Sequence, residues 1–348
     1  MNINRSNRHS KTVLLILSAL VILLTATPFM ASDNVIERLT VLFIYIILAA
    51  MWNALAGFGG LISIGQQLFF GLGAYATIRL SNIGIPPFVA LLISALLVGV
   101  LSWPLSLFML RLKAGEFAIG MWVLASIAHL LVNLDPLIQG ETGISLIALN
   151  QYAIGARRII IYIVALFVMT GLLLSLFWLL RSRAGIAMQA IRDNEEAADS
   201  IGVDAKKVKQ YFFIFAAFGT AIAGALWLAQ AASFQPKAYF SVQWTAYMIF
   251  MVLVGGLGRF EGAILGALLF FLVETWFAAT GVWYLIGLGS VAMLCSLFLP
   301  KGLWGAIEKR LDISLIPVGY QVTPSCSGSS DCTKNQHFNT LDRAENKK

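Results

Sequence analysis

Apolar runs of membrane-spanning length recur along almost the whole chain, and no other feature restricts its fold so strongly. A helix crosses the hydrocarbon core of a bilayer with about 20 apolar residues. Read between charged residues and Gly/Pro breaks, the sequence offers ten such runs, at 12–30, 37–56, 60–80, 86–110, 116–134, 159–180, 211–232, 244–258, 262–280 and 282–299. In lipid each backbone N–H and C=O needs a partner within the protein, and a helix supplies one inside its own segment. The expected fold is therefore an all-α polytopic membrane protein with about ten transmembrane helices. Composition agrees, because 59% of residues are hydrophobic and only 12% are charged, against roughly 25% charged in soluble domains. The net charge of +7 would raise nucleic-acid binding in a soluble chain, but here lipid is the solvent and the placement of charge matters more than its sum. No nucleic-acid partner is expected.

That placement gives an orientation. With the N-terminus inside and ten crossings, Arg38, Arg79, Arg157, Arg158 and Lys237 fall outside, leaving 19 of the 24 lysines and arginines inside. Positive charge concentrates on the cytoplasmic side, so both termini are expected there. Arg5, Arg8 and Lys11 before Val13–Leu24 look like a secretory signal. Thr25–Ser32 offers no convincing small-x-small cleavage site, however, and further spans follow at once, so a retained first helix is expected. The run at 60–80 is unusual. Gly60, Gly65, Gly71 and Gly73 with Gln66 and Gln67 read either as a packed span or as a broken, partly re-entrant helix lining a cavity. The membrane domain is read as 1–304. Residues 305–348 form a cytoplasmic polar tail, with an amphipathic piece near Ile307–Leu315 and disorder beyond it. Cys326, Cys332 and His337 match no zinc spacing, and Cys295 lies in an apolar run, so neither a metal site nor a disulfide framework is expected.

The loop 181–210 carries ordered signals. Asp193 followed by Glu196 reads as a capping box, and Glu195 and Glu196 suit the positive start of a helix. Gly202 is a natural helix stop, and Asp204 can cap the next helix. A helix of about seven residues, Glu195–Ile201, is too short to persist alone in water. It either packs on its own chain or inserts its small face, Ala197, Ala198 and Ile201, into a groove on another protein. Glu196-Ala197-Ala198 followed three residues later by Gly202 resembles the EAA motif of bacterial ABC importer permeases. AIRDNEEAADSIGV around it is similar to the version in branched-chain amino acid permeases. GFGGLISIGQQLFFGLGAYA (Gly57–Ala76), MVLVGGLGRFEGAILGA (Met251–Ala267), RLKAGEFAIGMWVLASI (Arg111–Ile127) and QGETG (Gln139–Gly143) also resemble that family. The resemblance covers roughly 40–300. Many relatives carry histidine where this chain has Gln66, which points to a difference in selectivity if that position faces substrate.

The resemblance implies a multi-pass permease of the bacterial inner membrane that translocates branched-chain or related neutral amino acids, with urea-like amides as the alternative cargo. It also implies a second permease subunit, two cytoplasmic ATPases that hold ATP and magnesium, and a periplasmic binding protein. Glu196, Ala197, Ala198 and Gly202 would couple to the ATPase, with Ala198 facing it closely. The sequence contains no phosphate-binding loop and no catalytic constellation, so no cofactor and no enzymatic activity are expected of this chain itself. An ion-coupled transporter acting alone, or a membrane enzyme, would leave the 181–210 loop unexplained. Within the spans, an ionised side chain costs roughly 2.5–3.5 kcal/mol at mid-bilayer. Glu274 is read as a buried structural acid or part of a translocation path. Gln66 and Gln67 are weighed the same way, and Asn53 and His129 are read as interhelical hydrogen bonders.

Overall fold

The computed structural model describes residues 2–4, 21–277, 281–299, 302–311 and 321–323. Its helices are α1 (Asp33–Gly59), α2 (Gln67–Asn82), α3 (Pro87–Met109), α4 (Ala114–Asn133), α5 (Ile154–Arg181), α6 (Arg183–Asp193) and α7 (Glu195–Ser200). They continue with α8 (Ala205–Ala231), α9 (Val242–Gly255), α10 (Phe260–Phe277), α11 (Val282–Phe298) and α12 (Gly302–Leu311). Among the described residues seven helices are long and apolar enough to cross a membrane: α1, α3, α4, α5, α8, α10, and α9 together with the turn Pro236–Tyr239 before it. The bent pair α11–α12 would make eight. The run at 12–30 falls largely outside the described residues, where only 21–26 are helical before a short turn Thr27–Phe29.

The run at 60–80 is not one continuous span. Gly60, at φ +68°, ends α1, and residues 60–66 are not helical before α2 begins. With 16 residues, α2 is about 24 Å long, shorter than the roughly 30 Å hydrocarbon core. A non-helical stretch at this depth survives only if protein satisfies its backbone. Here the Trp52 indole donates to the Ser63 carbonyl at 3.0 Å, and the Gly65 amide donates to the Ser63 hydroxyl at 3.3 Å.

Helix α1 is the hub. It is apolar on all sides, and its residues from Phe43 to Gly59 are buried, as expected for a helix with no lipid-facing stripe. Helix α8 also runs through the interior, where alanines and glycines let neighbouring backbones approach. At its crossing with α2 a Cβ on Gly73 would lie 2.1 Å from the Ala221 carbonyl oxygen, and one on Gly224 would lie 2.0 Å from that of Phe70. The glycines of the 57–76 segment thus serve close packing. Helices α3, α4 and α5 turn Leu, Trp and Phe side chains outward, as lipid-facing helices do.

Ion pairs sort to the two ends of the bundle. At one end Arg158 meets Asp33 at 2.6 Å and Glu37 at 2.5 Å, and Arg79 meets Asp135 at 2.5 Å. Ile144–Ser145 pairs antiparallel with Ser233–Phe234 at the same end. Arg192, Lys209 and Arg259 gather at the other. The expected tail boundary at 304/305 lies inside α12, which begins at Gly302 rather than near Ile307 and is tied to the start of α10 by an Arg259–Glu308 ion pair. Cys326, Cys332, His337 and nearly all of the expected disordered tail lie outside the described residues.

Candidate functional site

The 181–210 segment folds as a capped helical hairpin. The Ser182 hydroxyl accepts from the Gly185 amide at 3.4 Å and starts α6. Asn194, extended at φ −160°, ends α6 and starts α7, its side chain accepting from the Ala197 amide at 3.0 Å. The expected Asp193–Glu196 capping box does not form. Asp193 belongs to α6 and its carboxylate is held by Arg192 at 2.9 Å, so the cap moves on by one residue and Glu196 no longer sits at the third helical position. Gly202, at φ +88°, closes α7. Its amide donates to the Asp199 carbonyl at 2.9 Å, and the Val203 amide to that of Ala198 at 3.1 Å, the paired bonds of a Schellman stop. Asp204 then caps α8, accepting from the Lys207 amide at 3.1 Å. The Lys207 side chain and then its amide hold the Asp204 carboxyl below the usual carboxylate range.

One face of this hairpin is its own foundation. Ala198 is only 3% exposed and packs with Ile191 and Ala205, so it does not face outward as expected. The residues turned out are Ala197 and Ile201, one helical turn apart, with Ile201 78% exposed beside the acidic Glu196 and Asp199. Glu195, Glu196, Asp199 and Gly202–Lys206 line an open cleft of about 520 Å³. Lys209 pins α7 to α8 through Glu195 at 2.6 Å.

The other face of the hairpin meets the C-terminal end of α1. Arg192 Nη1 donates to the Gly57 carbonyl at 3.0 Å. Met188 Cε on α6 lies directly over Gly59, where a Cβ would come within 2.0 Å of it, so α6 packs against the bare backbone at the end of α1. Asn53 holds the adjoining turn between α9 and α10, accepting from the Gly258 amide at 3.0 Å and donating to the Arg259 carbonyl at 2.9 Å. The hairpin is therefore tied directly to the break that leads into residues 60–66. Asn53 makes the interhelical bonds expected of a lone amide in a span. Arg192 gave no sequence signal, because an arginine in a basic loop looks like a solvated charge.

Between the spans, Gln66 is fully buried and donates to the Thr220 hydroxyl at 3.1 Å, while its Oε1 has no partner. Gln67 accepts from the Thr245 hydroxyl. Glu274 accepts from the Tyr45 hydroxyl at 2.7 Å. The two glutamines sit together at the start of α2, but neither hydrogen-bonds Glu274. A chain of ring contacts links Tyr45 to Trp227, Trp227 to Trp244, and Trp244 to Phe70 on α2. His129 lies 3.0 Å from Glu141 in the segment after α4 rather than bonding across helices. Among the described residues no group of His, Cys, Asp and Glu is arranged to hold a metal.

The family model for the permease component of branched-chain amino acid transport systems matches residues 34–299. The chain belongs to this family. The permease is 28% identical over 326 residues to the high-affinity branched-chain amino acid transport system permease protein LivM of Escherichia coli K12, covering 86% of this chain and 76% of that one. It matches LivM of Salmonella typhimurium equally well. It is 31% identical over 237 residues to the probable LivM protein of Methanocaldococcus jannaschii, covering 62% of this chain and 68% of that one. No solved structure matches it. The permease is thus a multi-pass membrane transport subunit, and not itself a catalytic enzyme.

Proposed function

We propose that this permease is the membrane-spanning subunit of an ATP-driven importer in the bacterial inner membrane, moving branched-chain or related neutral amino acids into the cell. In this reading both termini are cytoplasmic, the chain crosses about ten times, and the α6–α7 hairpin lies on the cytoplasmic side. A second permease subunit completes the path, a periplasmic binding protein delivers substrate to the opposite end, and two ATPases bind and hydrolyse magnesium–ATP below. Gln66, Gln67 and Glu274 belong to the translocation path. Family membership supports the transport class. The observation that carries the coupling mechanism is the hairpin, which exposes Ala197 and Ile201 while Arg192 and Met188 seat its other face on the end of α1. An ATPase gripping α7 at Ala197, Ile201 and Glu196 would move α6 with it, and α6 would move the break at Gly57–Gly60. Ala198 and Gly202 keep the hairpin rigid enough to transmit that motion.

The test is uptake of labelled leucine, valine and urea by cells in which this chain and its partner subunits replace the native importer. Ile201→Glu and Ala197→Trp should abolish uptake and release the ATPase from the purified complex, with abundance in the membrane unchanged. Ala198→Trp should act differently, overpacking the hairpin at a cost of about 1–3 kcal/mol and lowering abundance. Normal ATPase association in both Ile201→Glu and Ala197→Trp would rule out α7 as the docking element.

A further inference from the structure

Glu274 lies near the end of α10 away from Arg259 and follows Ala263, Ala267 and Phe270 along the buried face of that helix. It therefore points between helices rather than to lipid. The Tyr45 hydroxyl is its hydrogen-bond donor, and no lysine or arginine among the described residues acts on its charge. A carboxylate packed between helices is costly without a cation. Tyr284 on α11 is 7% exposed, and its hydroxyl has no hydrogen-bond partner. It lies within electrostatic reach of the Glu274 carboxylate. Ring faces enclose the same place. Tyr45 stacks on Trp227 at 6.3 Å and meets Phe270 edge-on at 5.0 Å, and Tyr247 tilts against Phe270 at 4.7 Å.

A carboxylate, two tyrosine oxygens and aromatic faces suit an organic ammonium. The carboxylate supplies charge, the phenol oxygens accept N–H, and ring faces attract a cation. A small metal ion would instead call for a shell of oxygen ligands. We propose that Glu274, Tyr45 and Tyr284 form a transient site for the ammonium group of the transported amino acid. The site rests on the importer reading above for its cargo, but its chemistry stands on these residues alone. The carboxylate pairs with substrate during passage instead of with a fixed arginine.

The purified full-length chain, in nanodiscs of phosphatidylglycerol, is titrated with 3-methylbutylammonium, L-leucine and 4-methylpentanoate while tryptophan emission is followed. The two ammonium compounds should shift the emission and 4-methylpentanoate should not. Glu274→Gln, which keeps size and hydrogen bonding, should weaken ammonium binding roughly tenfold or more. Tyr45→Phe and Tyr284→Phe should weaken it by smaller factors, and Glu274→Asp should recover part of the loss. An unchanged titration in Glu274→Gln, or an equal response to 4-methylpentanoate, overturns the site. So does loss of the leucine response when phosphatidylethanolamine is added, which would assign the ammonium to lipid headgroups. Normal leucine uptake by Glu274→Gln in cells would also reject the site while leaving the importer reading intact. Glu274-dependent ammonium binding without any amino-acid uptake by the wild-type complex would reject the importer reading and keep the site.

Discussion

Arg192 joins the two parts of the molecule that the transport reading requires to move together. Its guanidinium holds Asp193 on the hairpin and, through Nη1, the Gly57 carbonyl at the end of α1. Asp193 neutralises the charge, so a strong donor can sit at the membrane edge beside a carbonyl that has left the helical ladder. A hydrogen bond from a half-exposed charged group contributes about 1–2 kcal/mol, too little to decide folding but enough to decide whether two elements shift as one. Arg192→Ala should therefore leave membrane abundance and ATPase association near wild type and cut substrate uptake several-fold, with ATP hydrolysis continuing. Equal losses of hydrolysis and uptake would show that Arg192 acts on docking instead. Gly202 works by a different physics. Nothing lies within 4 Å of a Cβ built there, so the constraint is its φ of +88° alone, which costs a side-chain-bearing residue about 1–2 kcal/mol.

At the scale of elements, the C-terminal ends of α2 and α4 are clamped by Asp135. Burial alone would raise its carboxyl. The Tyr75 hydroxyl at 2.6 Å, the Leu137 amide and Arg79 outweigh that and hold it below the usual range. A depressed carboxyl stabilises the fold fully above its unfolded value of 3.8, and this contribution fades as pH falls through the lower folded value. The segment after α4 should thus keep slow hydrogen exchange at neutral pH and lose protection only on acidification below about pH 4. Asp135→Asn should show fast exchange there already at pH 7. Protection in that variant equal to wild type would mean that the pairing of Ile144–Ser145 with Ser233–Phe234 holds the outer segment unaided. The hairpin is the corresponding device at the other end. Three caps in succession (Ser182, Asn194 and Asp204) let a six-residue helix persist that would be marginal alone.

Across the whole molecule the alternation of apolar runs and basic ends makes a directional prediction. Reporter domains inserted at Asp204 and at Glu141 should fall on opposite sides of the membrane, with the Asp204 fusion active only for a cytoplasmic reporter. A periplasmic signal at Asp204 would overturn the orientation. Much of this architecture was legible along the chain, because the rules involved act over a few residues. Transfer of an apolar run into lipid, a positive φ at Gly202 and an acidic cap at Asp204 each depend on local chemistry. Partner choice does not. Whether Ala198 or Ala197 faces outward depends on where Ile191 and Ala205 come to rest. Asn194 rather than Asp193 caps α7 because Asp193 is still the last helical residue of α6. Residues 60–66 leave the helix at Gly60, and Trp52, eleven positions back, satisfies the Ser63 carbonyl there. Glu274 finds Tyr45 across 229 positions, and no periodicity could announce that pairing. The sequence by itself determined a membrane-spanning helical bundle and a short capped helix in the loop 181–210. Only the packing of distant segments decided which face of that hairpin is free and which polar groups meet inside the membrane.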